Sequence, residues 1–389
     1  MKKKIAILGS TGSIGKNLLQ ILFQEKKKID IYLLTANKNY KELINQSKKF
    51  NVKNIIITDK SSFRKFKKIN KNKKIKIFEN FDSFNKIFKK KVDYVMSSIV
   101  GIEGLNPTLR IIKYTNKIAI ANKESIICGW NLIQRELKKY STEFIPVDSE
   151  HFSIWYGVKY QSASNIHKVY LTASGGSLLN IPKKKYKNLT LKEIVNHPNW
   201  KMGKKISVDS STMMNKVFEV IEAKKIFNVS YKKISIIIHP KSYIHAIIIF
   251  NDGMIKLISH RTTMKIPIAN TLNGLLSIKY AFNEKKTLKL NLNNLNKLEL
   301  SKISPKKFPF VKIINQLPKK NSLFETLLVA ANDEFVKLFL EKKITYTELL
   351  SKLVRFISKK EFVKYKRIEP KKITDILKFN QKIREKIYF

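Results

Sequence analysis

The feature that most constrains the fold of this chain is a short apolar run that leads directly into a glycine-rich turn. Residues 5–8 read Ile-Ala-Ile-Leu, residues 9–15 read Gly-Ser-Thr-Gly-Ser-Ile-Gly, and an amphipathic stretch follows to residue 24. A strand, a glycine turn and a helix in this order are typical of the first unit of a parallel α/β sheet. Glycine lets the backbone approach a pyrophosphate, which binds the N–H groups at the start of the helix. The pattern predicts a dinucleotide site, and a structural turn without a ligand is the alternative.

Apolar runs and helical stretches continue to alternate as far as residue 148. Further strand candidates lie at residues 30–35, 54–58, 92–96, 117–121 and 144–147. Strands that alternate with helices indicate a parallel sheet with helices on its faces. We therefore predict an α/β fold in which residues 1–148 form a Rossmann-like, dinucleotide-binding domain.

The pattern changes after residue 148, and we predict three further parts of the chain. Residues 149–284 are expected to form an α+β catalytic domain with a helix over residues 212–227. Within it, Asn251-Asp252-Gly253 lies between two apolar runs, which predicts a β-hairpin. A linker is predicted at residues 285–304. A small C-terminal helical domain is predicted at residues 305–389, with helices over residues 323–341 and 345–357.

The residues after the second predicted strand bear on the identity of the dinucleotide. A site for a free ribose 2′-hydroxyl usually has Asp or Glu at this point. This chain has Asn37, Lys38 and Asn39 there instead. A carboxylate would repel a 2′-phosphate, whereas Lys38 and Asn39 would bind it. The missing acid therefore favours NADPH over NADH.

Three acidic residues suggest a metal site. Asp148 and Glu150 follow the strand candidate at residues 144–147, where the chain turns, and Glu219 lies on the predicted helix. Isolated acids mostly lie on solvated surfaces, which is the alternative, but acids are scarce in this chain. Oxygen ligands without cysteine or clustered histidine suit Mg²⁺ or Mn²⁺ better than Zn²⁺.

Hydroxyl and ammonium groups that could bind a phosphate occur in three segments. These contain Ser174-Gly175-Gly176, Ser210 and Asn215-Lys216. Helical spacing puts Asn215 and Lys216 on the face of Glu219. Ser210 is equally suited to cap the helix predicted at residues 212–227. Residues 197–203, which include His197 and Trp200, read as a loop that could close over a site, or as an ordinary loop that packs its tryptophan.

The formal net charge of +49 at first suggests a nucleic-acid-binding protein. Only seven of the 78 basic residues are arginine, and the lysines are spread along the whole chain together with many Ile and Asn residues. Arginine is the residue that dedicated phosphate and base contacts favour. We therefore attribute the charge to codon drift and expect no specific nucleic-acid partner.

The sequence also bears on where the protein works. Its single cysteine, Cys128, cannot form an internal disulfide, which favours a reducing compartment. The apolar run at residues 5–8 is shorter than the ~7–15 residues of a signal peptide. No stretch approaches the ~20 apolar residues of a membrane span. We expect a cytoplasmic protein without a membrane partner.

Five of these segments, in order, closely resemble those of one enzyme family. They are residues 9–15, 121–125, 146–151, 197–200 and 206–216. The family is 1-deoxy-D-xylulose 5-phosphate reductoisomerase, which depends on NADPH and a divalent metal and serves the non-mevalonate isoprenoid pathway. The resemblance implies that the chain isomerises 1-deoxy-D-xylulose 5-phosphate, a small phosphorylated sugar, and reduces the product to 2-C-methyl-D-erythritol 4-phosphate.

The resemblance also implies a homodimer and a set of site residues. It assigns NADPH contacts to Thr11, Gly12, Ser13, Ile14, Asn37, Lys38, Asn39, Asn122, Glu124 and Gly203. It assigns Mg²⁺, Mn²⁺ or Co²⁺ to Asp148, Glu150 and Glu219. The catalytic and substrate contacts that it implies are Lys123, Ser149, Glu150, Ser174, His197, Ser210, Asn215, Lys216 and Glu219.

The sequence departs from the family pattern in several places, which puts rate and affinity in question more than identity. Asn37 replaces a usual glycine, Lys241 replaces a usual Gln or Glu, and residues 177–179 and 259–263 also differ. Two other readings stay open. One is another NAD(P)-dependent enzyme, such as a homoserine dehydrogenase or an inositol-phosphate synthase, and the other is a polyanion-binding protein descended from an enzyme.

Overall fold

The structure is a computed structural model that describes residues 1–70, 74–159, 161, 163–200, 202–276, 292–296 and 298–388. Its strands, in chain order, are β1 (Lys3–Leu8), β2 (Ile29–Ala36), β3 (Asn54–Ile57), β4 (Lys76–Phe78), β5 (Val92–Ser97), β6 (Thr115–Ile120), β7 (Glu143–Pro146), β8 (Ile166–Ala173), β9 (Ile234–Ile238), β10 (Ile244–Phe250), β11 (Ile255–Ser259) and β12 (Ser301–Lys302). Its α-helices are α1 (Ser13–Gln24), α2 (Tyr40–Phe50), α3 (Lys60–Ile69), α4 (Phe84–Ile87), α5 (Leu105–Ile111), α6 (Lys123–Tyr140), α7 (Ser149–Gly157), α8 (Leu191–Val195), α9 (Lys204–Thr212), α10 (Met214–Phe227), α11 (Lys265–Thr271), α12 (Leu292–Leu295), α13 (Leu323–Leu340), α14 (Tyr346–Ile357) and α15 (Ile373–Lys386).

Contacts within the chain group the described residues into two compact units. Unit 1 comprises Met1–Ser125, Asn131–Phe152 and the described part of Met264–Lys289. Unit 2 comprises Ile126–Trp130, Ser153–Thr263 and the described part of Leu290–Phe389. The predicted boundary between residues 284 and 285 lies outside the described residues. The division into four parts, with limits at 148, 284 and 304, stays a prediction.

Unit 1 is built on a parallel sheet with the strand order β4-β3-β2-β1-β5-β6-β7. The strand order reverses direction between β1 and β5, and open α/β sheets bind their ligands at the carboxyl ends of the strands at such a point. Buried side chains of β1 and α1, including Ile5, Ile7, Leu18 and Leu22, form the core of the sheet. The predicted Rossmann-like class is confirmed. The sequence missed β4, because three residues are too few to show a pattern.

Helix α11 follows the strands of unit 2 in the chain but belongs to unit 1. Its residue Ile268 is buried in the core that also contains β1 and α1. The hydroxyl of Thr271 lies 2.7 Å from the Tyr94 hydroxyl on β5. Helix α11, which was predicted to belong to the catalytic domain, therefore packs on the sheet of unit 1.

Unit 2 contains a mixed sheet with the order β11-β10-β8-β9-β12. Strands β8 and β9 are parallel, while β10 is antiparallel to both β8 and β11. The predicted hairpin is confirmed: Gly253 has a φ of 84°, as a tight turn requires, and the Phe250 N–H donates to the Met254 carbonyl at 2.9 Å. Apolar residues of α10, including Val220 and Phe227, are buried against this sheet.

The helices of the C-terminal part agree with the sequence pattern. Helices α13 and α14 match the predicted helices at residues 323–341 and 345–357 within one residue at each end. Thr345 and Glu348 form a capping box at the start of α14, which fixes where that helix begins. No helix in the described part of the chain is both long and apolar enough to cross a membrane.

The helix predicted at residues 212–227 corresponds to α10 and begins two residues later than predicted, because a break separates it from α9. Met213 has a φ of 67°, in the left-handed region, so that α9 ends at Thr212 and α10 begins at Met214. Ser210 lies in the last turn of α9, and the interpretation of Ser210 as an N-cap is therefore wrong. The sequence shows no sign of the break, because methionine is a good helix former with no preference for this conformation.

Candidate active site

The glycine turn after β1 has a backbone that only glycine fits. Gly9 has a φ of 81°, and a Cβ placed on it would lie 2.9 Å from the Ser98 carbonyl oxygen. Thr35, at the carboxyl end of β2, fixes the turn, because its hydroxyl accepts from the Gly9 N–H and its carbonyl accepts from the Ser10 N–H, both at 2.9 Å. Sequence reasoning missed Thr35 and Ser98. The only available signal was their position at strand ends.

The start of α1 presents backbone N–H groups that could bind an anion. Its N-cap is Gly12, and no side chain of a described residue caps it. Gly12 and Ser13 are exposed, while Thr11 and Ile14 are half-buried. Gly15 lets the helix lie close to the turn, since a Cβ there would be 2.5 Å from Ser10 Cα. The residues of this turn fit the diphosphate of a dinucleotide.

The segment after β2 is exposed, as a site for the adenosine end of a dinucleotide requires. Asn37, Lys38 and Asn39 are all exposed. Asn39 caps α2 by accepting from the Glu42 N–H at 3.2 Å, and Asn37 donates to the Thr58 hydroxyl at 2.8 Å. The Ser62 hydroxyl donates to the Lys38 carbonyl, which fixes the Lys38 backbone. The conformation of the exposed Lys38 side chain then sets the position of its ammonium group. This arrangement fits a 2′-phosphate on the ribose.

A third group of predicted NADPH residues lies at the start of α6. Asn122 caps this helix by accepting from the Ser125 N–H at 2.5 Å, and it donates to the Gly101 carbonyl at 2.8 Å. Glu124, in the first turn, is buried. Gly203 is the N-cap of α9 in unit 2, where it is exposed and a Cβ would meet nothing within 4 Å. Its assignment to NADPH stays a prediction.

Unit 1 brings two carboxylates together where β7 ends and α7 begins. Ligand oxygens of Asp148 and Glu150 lie within 4.8 Å of one another. The Lys123 ammonium lies 2.8 Å from Asp148 Oδ2, and the Ser149 hydroxyl donates to Glu150 Oε2 at 2.5 Å. Two carboxylates this close repel unless a cation or a proton lies between them. Oxygen donors of this kind fit a hard divalent cation.

Helix α10 of unit 2 presents Asn215, Lys216 and Glu219 on one face, as predicted. The Lys216 ammonium lies 2.5 Å from Glu219 Oε2, and the Asn215 amide donates to Glu219 Oε1. Lys216 and Glu219 are both buried. A buried ion pair of this kind is costly to desolvate, and such pairs are more typical of functional sites than of surfaces.

His197 and Ser174 form a hydrogen-bonded pair in unit 2. His197 Nε2 lies 2.9 Å from the Ser174 hydroxyl, while Nδ1 accepts from the N–H groups of Asn199 and Trp200 at 3.1 and 3.0 Å. Because Nδ1 is an acceptor, the proton of the neutral ring is on Nε2 and is donated to Ser174. Ser174 also accepts from the Gly176 N–H at 3.1 Å. The Ser174 hydroxyl can therefore donate its own proton to a group other than these two.

The electrostatics of His197 agree with this tautomer. Burial, and then the positive charge of Lys216, lower the pKa of His197 to about 4. The ring is therefore neutral near pH 7. The influence of Lys216 also indicates that its ammonium group lies near the His197 ring.

The loop that contains Ser174 is packed against the end of α9. Gly176 has a φ of 65°, and a Cβ on it would lie 2.9 Å from the Ser210 carbonyl oxygen. Ser210 is half-buried at this contact. Unit 2 thus brings Ser174, His197, Ser210, Asn215 and Lys216 into one neighbourhood.

In the predicted closing loop, Asn199 donates to the Ser242 hydroxyl at 3.2 Å, and Lys201 lies outside the described residues.

Comparisons with known proteins identify the family to which the chain belongs. The family model described as 1-deoxy-D-xylulose 5-phosphate reductoisomerase matches residues 5–129. The model of its C-terminal domain matches residues 144–227, and that of the DXP reductoisomerase C-terminal domain matches residues 261–386. The chain is 53% identical to a 1-deoxy-D-xylulose 5-phosphate reductoisomerase from Pelagibacter ubique, over 99% of this chain and 98% of the relative.

Solved structures give the same result. The 1-deoxy-D-xylulose 5-phosphate reductoisomerase from Zymomonas mobilis in complex with NADPH superposes with a TM-score of 0.87 at 27% identity, covering 99% of this chain and 98% of that one. A DOX-P reductoisomerase in complex with NADPH, fosmidomycin and magnesium gives 0.85 at 29% identity, covering 99% and 97%. The chain therefore belongs to the 1-deoxy-D-xylulose 5-phosphate reductoisomerase family.

Proposed function

We propose that this chain converts 1-deoxy-D-xylulose 5-phosphate to 2-C-methyl-D-erythritol 4-phosphate, by NADPH-dependent isomerisation and reduction, for isoprenoid precursor synthesis. The observation that supports this most strongly is 53% identity along 99% of the chain to a relative of that name. The chain is accordingly an NADPH- and divalent-metal-dependent reductoisomerase. The geometry of unit 2 is compatible with a small phosphorylated substrate, since hydroxyl, amide and ammonium donors converge there.

NADPH is proposed to lie along the carboxyl edge of the unit 1 sheet. Its diphosphate would bind the N–H groups of Gly12, Ser13 and Ile14 at the start of α1. Lys38 and Asn39 would contact the 2′-phosphate. Asn122 and Glu124, which begin α6, are proposed to lie near the other end of the cofactor.

The divalent cation is proposed to bind Asp148 and Glu150 from unit 1 and Glu219 from unit 2. The support is the close pair of carboxylates in unit 1 and the buried Glu219 carboxylate in unit 2. When bound, the cation supplies Lewis-acid polarisation of the substrate's carbonyl and hydroxyl oxygens.

The side chains themselves bind, orient and protect the substrate. Lys216 supplies a positive charge for the phosphate, together with hydroxyl and amide donors from Ser210 and Asn215. The Ser174 hydroxyl can donate outward, because both groups that contact it, His197 and the Gly176 N–H, already donate to it. Lys123, beside Asp148, is placed to interact with a substrate hydroxyl that lies next to the cation.

The loop at residues 197–203 is proposed to close over the substrate and exclude water. Reactive carbonyl intermediates are protected when a loop sequesters them. His197, at its start, contacts the substrate-binding Ser174, so that closure and substrate binding are linked. Hydride chemistry is that of NADPH, and the protein contributes alignment.

We further propose that the enzyme is a homodimer. Strand β11 is at the edge of the unit 2 sheet and exposes Ile255 and Leu257 by 52% and 49%, and Met254, directly before it, is 60% exposed. An apolar edge strand is normally covered. A second copy of the chain is the proposed cover. The cytoplasmic location stays a prediction from the sequence.

The test of the function is a direct assay. Purified protein is mixed with NADPH, Mg²⁺ and 1-deoxy-D-xylulose 5-phosphate, and the loss of NADPH absorbance is followed while the product is identified by mass spectrometry. We expect product only when all three components are present, and kcat/KM should be higher for NADPH than for NADH. No oxidation of NADPH, or a product other than 2-C-methyl-D-erythritol 4-phosphate, would reject the proposal.

A further inference from the structure

The α9–α10 joint, residues 210–215, has a backbone that its own sequence does not favour. Ser210 is the first residue of the joint and Asn215 the last, and both are proposed to contact the phosphate. Between them Met213, with a φ of 67°, adopts the left-handed conformation that side chains other than glycine and asparagine avoid. Such a conformation persists only where the surrounding structure holds it.

Hydrogen bonds inside the joint account for only part of this conformation. The Met213 N–H donates to the Ser210 carbonyl at 3.2 Å, and the Lys216 N–H donates to the Met213 carbonyl at 3.1 Å. A continuous helix would offer these two groups partners of the same kind, and only the bond from the Met214 N–H to the Thr212 hydroxyl at 3.2 Å is specific to the break. Met213 is 2% exposed, so that its side chain is enclosed by neighbouring elements. These neighbouring elements therefore also hold the joint.

Helix α13 contacts the last turn of α9 through a buried polar pair. The Asn332 amide donates to Asp209 Oδ1 at 2.8 Å, and both side chains are buried. The other oxygen of Asp209 lies 3.2 Å from the Lys205 ammonium, which lies 2.9 Å from Asp333 Oδ1. Asp209 directly precedes Ser210. The position of Ser210 is thus fixed by a helix far along the chain.

Helix α14 contacts the same turn at a second point. The Tyr346 hydroxyl donates to the Ser211 carbonyl at 3.0 Å. This carbonyl belongs to the last turn of α9, whose carbonyls lack partners within the helix. Burial raises the pKa of the Tyr346 hydroxyl, which therefore keeps the proton that it donates. The Tyr346 hydroxyl thus bonds a carbonyl that has no helical partner because α9 ends there. This hydrogen bond favours the backbone with the break over a continuous helix.

We propose that Asn332 and Tyr346 are positioning residues for the substrate's phosphate. They hold the end of α9, and with it the left-handed Met213, so that Ser210, Asn215 and Lys216 face the phosphate from both sides of the joint. Neither residue contacts the substrate. The inference rests on the proposed function, because it takes the ligand of these three residues to be the phosphate of 1-deoxy-D-xylulose 5-phosphate.

The test uses two variants and a matched control in the full-length enzyme. Tyr346→Phe removes a single hydroxyl, and Asn332→Leu removes the amide donor with little change in volume. Tyr186→Phe is the control, since the Tyr186 ring contacts Tyr346, its hydroxyl is buried, and no described residue within reach bonds to it. KM and kcat are measured for both substrates, and binding of inorganic phosphate is measured by calorimetry in the presence of NADPH.

We expect both variants to raise the KM for 1-deoxy-D-xylulose 5-phosphate by about two- to tenfold, the equivalent of one lost hydrogen bond. The Kd for inorganic phosphate should rise by a similar factor, whereas the KM for NADPH should stay unchanged. Tyr186→Phe should resemble the wild type in all three quantities. A similar rise in the KM for the sugar phosphate and in the Kd for inorganic phosphate would indicate weaker phosphate binding. A loss of folded protein would instead lower Vmax and leave KM and Kd unchanged.

Two results would overturn the inference. One is a Tyr346→Phe variant with wild-type KM and Kd, which is decisive even if Asn332→Leu does not fold. The other is a variant in which only Vmax falls. A wild-type enzyme that binds phosphate but does not consume the sugar phosphate would reject the proposed function instead, and the calorimetric comparison would still test the joint.

Discussion

Lys216 acts on two partners at once, and both effects depend on its charge. Its ammonium group lies 2.5 Å from Glu219 Oε2, and it lowers the pKa of His197. The first contact places a positive charge beside the carboxylate that is proposed to bind the cation. The second adds to burial, which is the larger cause of the lowered pKa of His197, and helps to keep the ring neutral and able to donate to Ser174. One buried lysine thus influences both the carboxylate and the imidazole of the proposed site.

The first prediction at the residue scale concerns Glu219. Glu219→Gln keeps the size of the side chain but removes one of the charges proposed to bind the cation. We expect turnover to fall by at least about 10³-fold, in line with the loss of a group that acts in the transition state. The Kd for NADPH should stay nearly the same, because the proposed cofactor site lies on unit 1. Steady-state kinetics and fluorescence titration measure these two quantities.

Glu341→Gln is the matched control for this change, since Glu341 is exposed and paired only with Lys343 among the described residues. It should retain wild-type activity. Ordinary turnover by Glu219→Gln, or turnover by the wild type after exhaustive chelation of metal, would reject the assignment of Glu219 as a ligand.

The second residue-scale prediction concerns pH and His197. The pKa of His197 is about 4 in the folded protein, below the ~6.5 of an unfolded chain. Between these values the unfolded chain binds a proton that the folded protein does not, so the contribution of His197 to stability falls as the pH is lowered from about 6.5 to 4. Above pH 6.5 both states are neutral and the contribution is constant.

The measurement is the difference in Tm between the wild type and His197→Gln across this pH range. We expect the advantage of the wild type to decrease as the pH is lowered from about 6.5 to 4. His167→Gln, which replaces an exposed histidine at the start of β8, is the control and should keep nearly the wild-type Tm. A wild-type advantage that is constant from pH 7 to 4 would contradict the lowered pKa.

At the scale of elements, the sequence predicted those whose cause is local. Six strands of unit 1 were identified because each is a buried apolar run, and the β10–β11 hairpin because Asp252-Gly253 specifies its turn. The end of α9 was missed because its cause lies in Asn332 and Tyr346, more than a hundred residues away in the chain. The Lys123–Asp148 ion pair was also missed, because both residues were identified individually and a sequence does not show which side chains meet.

The element-scale prediction concerns the packing of α1 on the glycine turn. A Cβ at Gly15 would lie 2.5 Å from Ser10 Cα, and backbone cannot yield as a side chain can. Gly15→Ala should therefore move α1 away from the turn, which lowers the free energy of unfolding by about 1–3 kcal/mol and weakens NADPH binding. Chemical denaturation and cofactor titration measure the two effects.

Gly12→Ala is the comparison, because Gly12 has a φ of −78° and its added Cβ would be no closer than 3.4 Å to the Gly9 carbonyl oxygen. Its effect on stability should be small. If Gly15→Ala were as stable as Gly12→Ala, close packing of this helix would not explain the third glycine of the turn.

At the scale of the whole molecule, the proposed dimer can be tested through β11. Ile255 and Leu257 alternate with less exposed residues, so that they share one face of an edge strand. A lysine on this face would meet apolar surface, or another lysine, in a symmetric interface. We expect a wild-type mass of about twice 45.3 kDa by sedimentation and a monomer for Leu257→Lys.

Val363→Lys is the control, since Val363 is an exposed apolar residue outside this strand. It should sediment like the wild type. A wild-type monomer would reject the dimer, and a dimer that persists in Leu257→Lys at low concentration would place its interface elsewhere.

The net charge of +49 is the last property of the whole molecule with a testable consequence. Lysines spread over a surface bind polyanions mainly by releasing counterions. This binding does not depend on the nucleic-acid sequence, and lysine contacts add little geometric specificity. We therefore expect weak binding to any duplex DNA, with an affinity that falls by about 10³-fold or more between ~50 and ~200 mM salt if six or more phosphates are contacted. Fluorescence anisotropy with several unrelated duplexes measures this. Preference for one sequence that survives physiological salt would show instead that the charge serves a specific nucleic-acid partner.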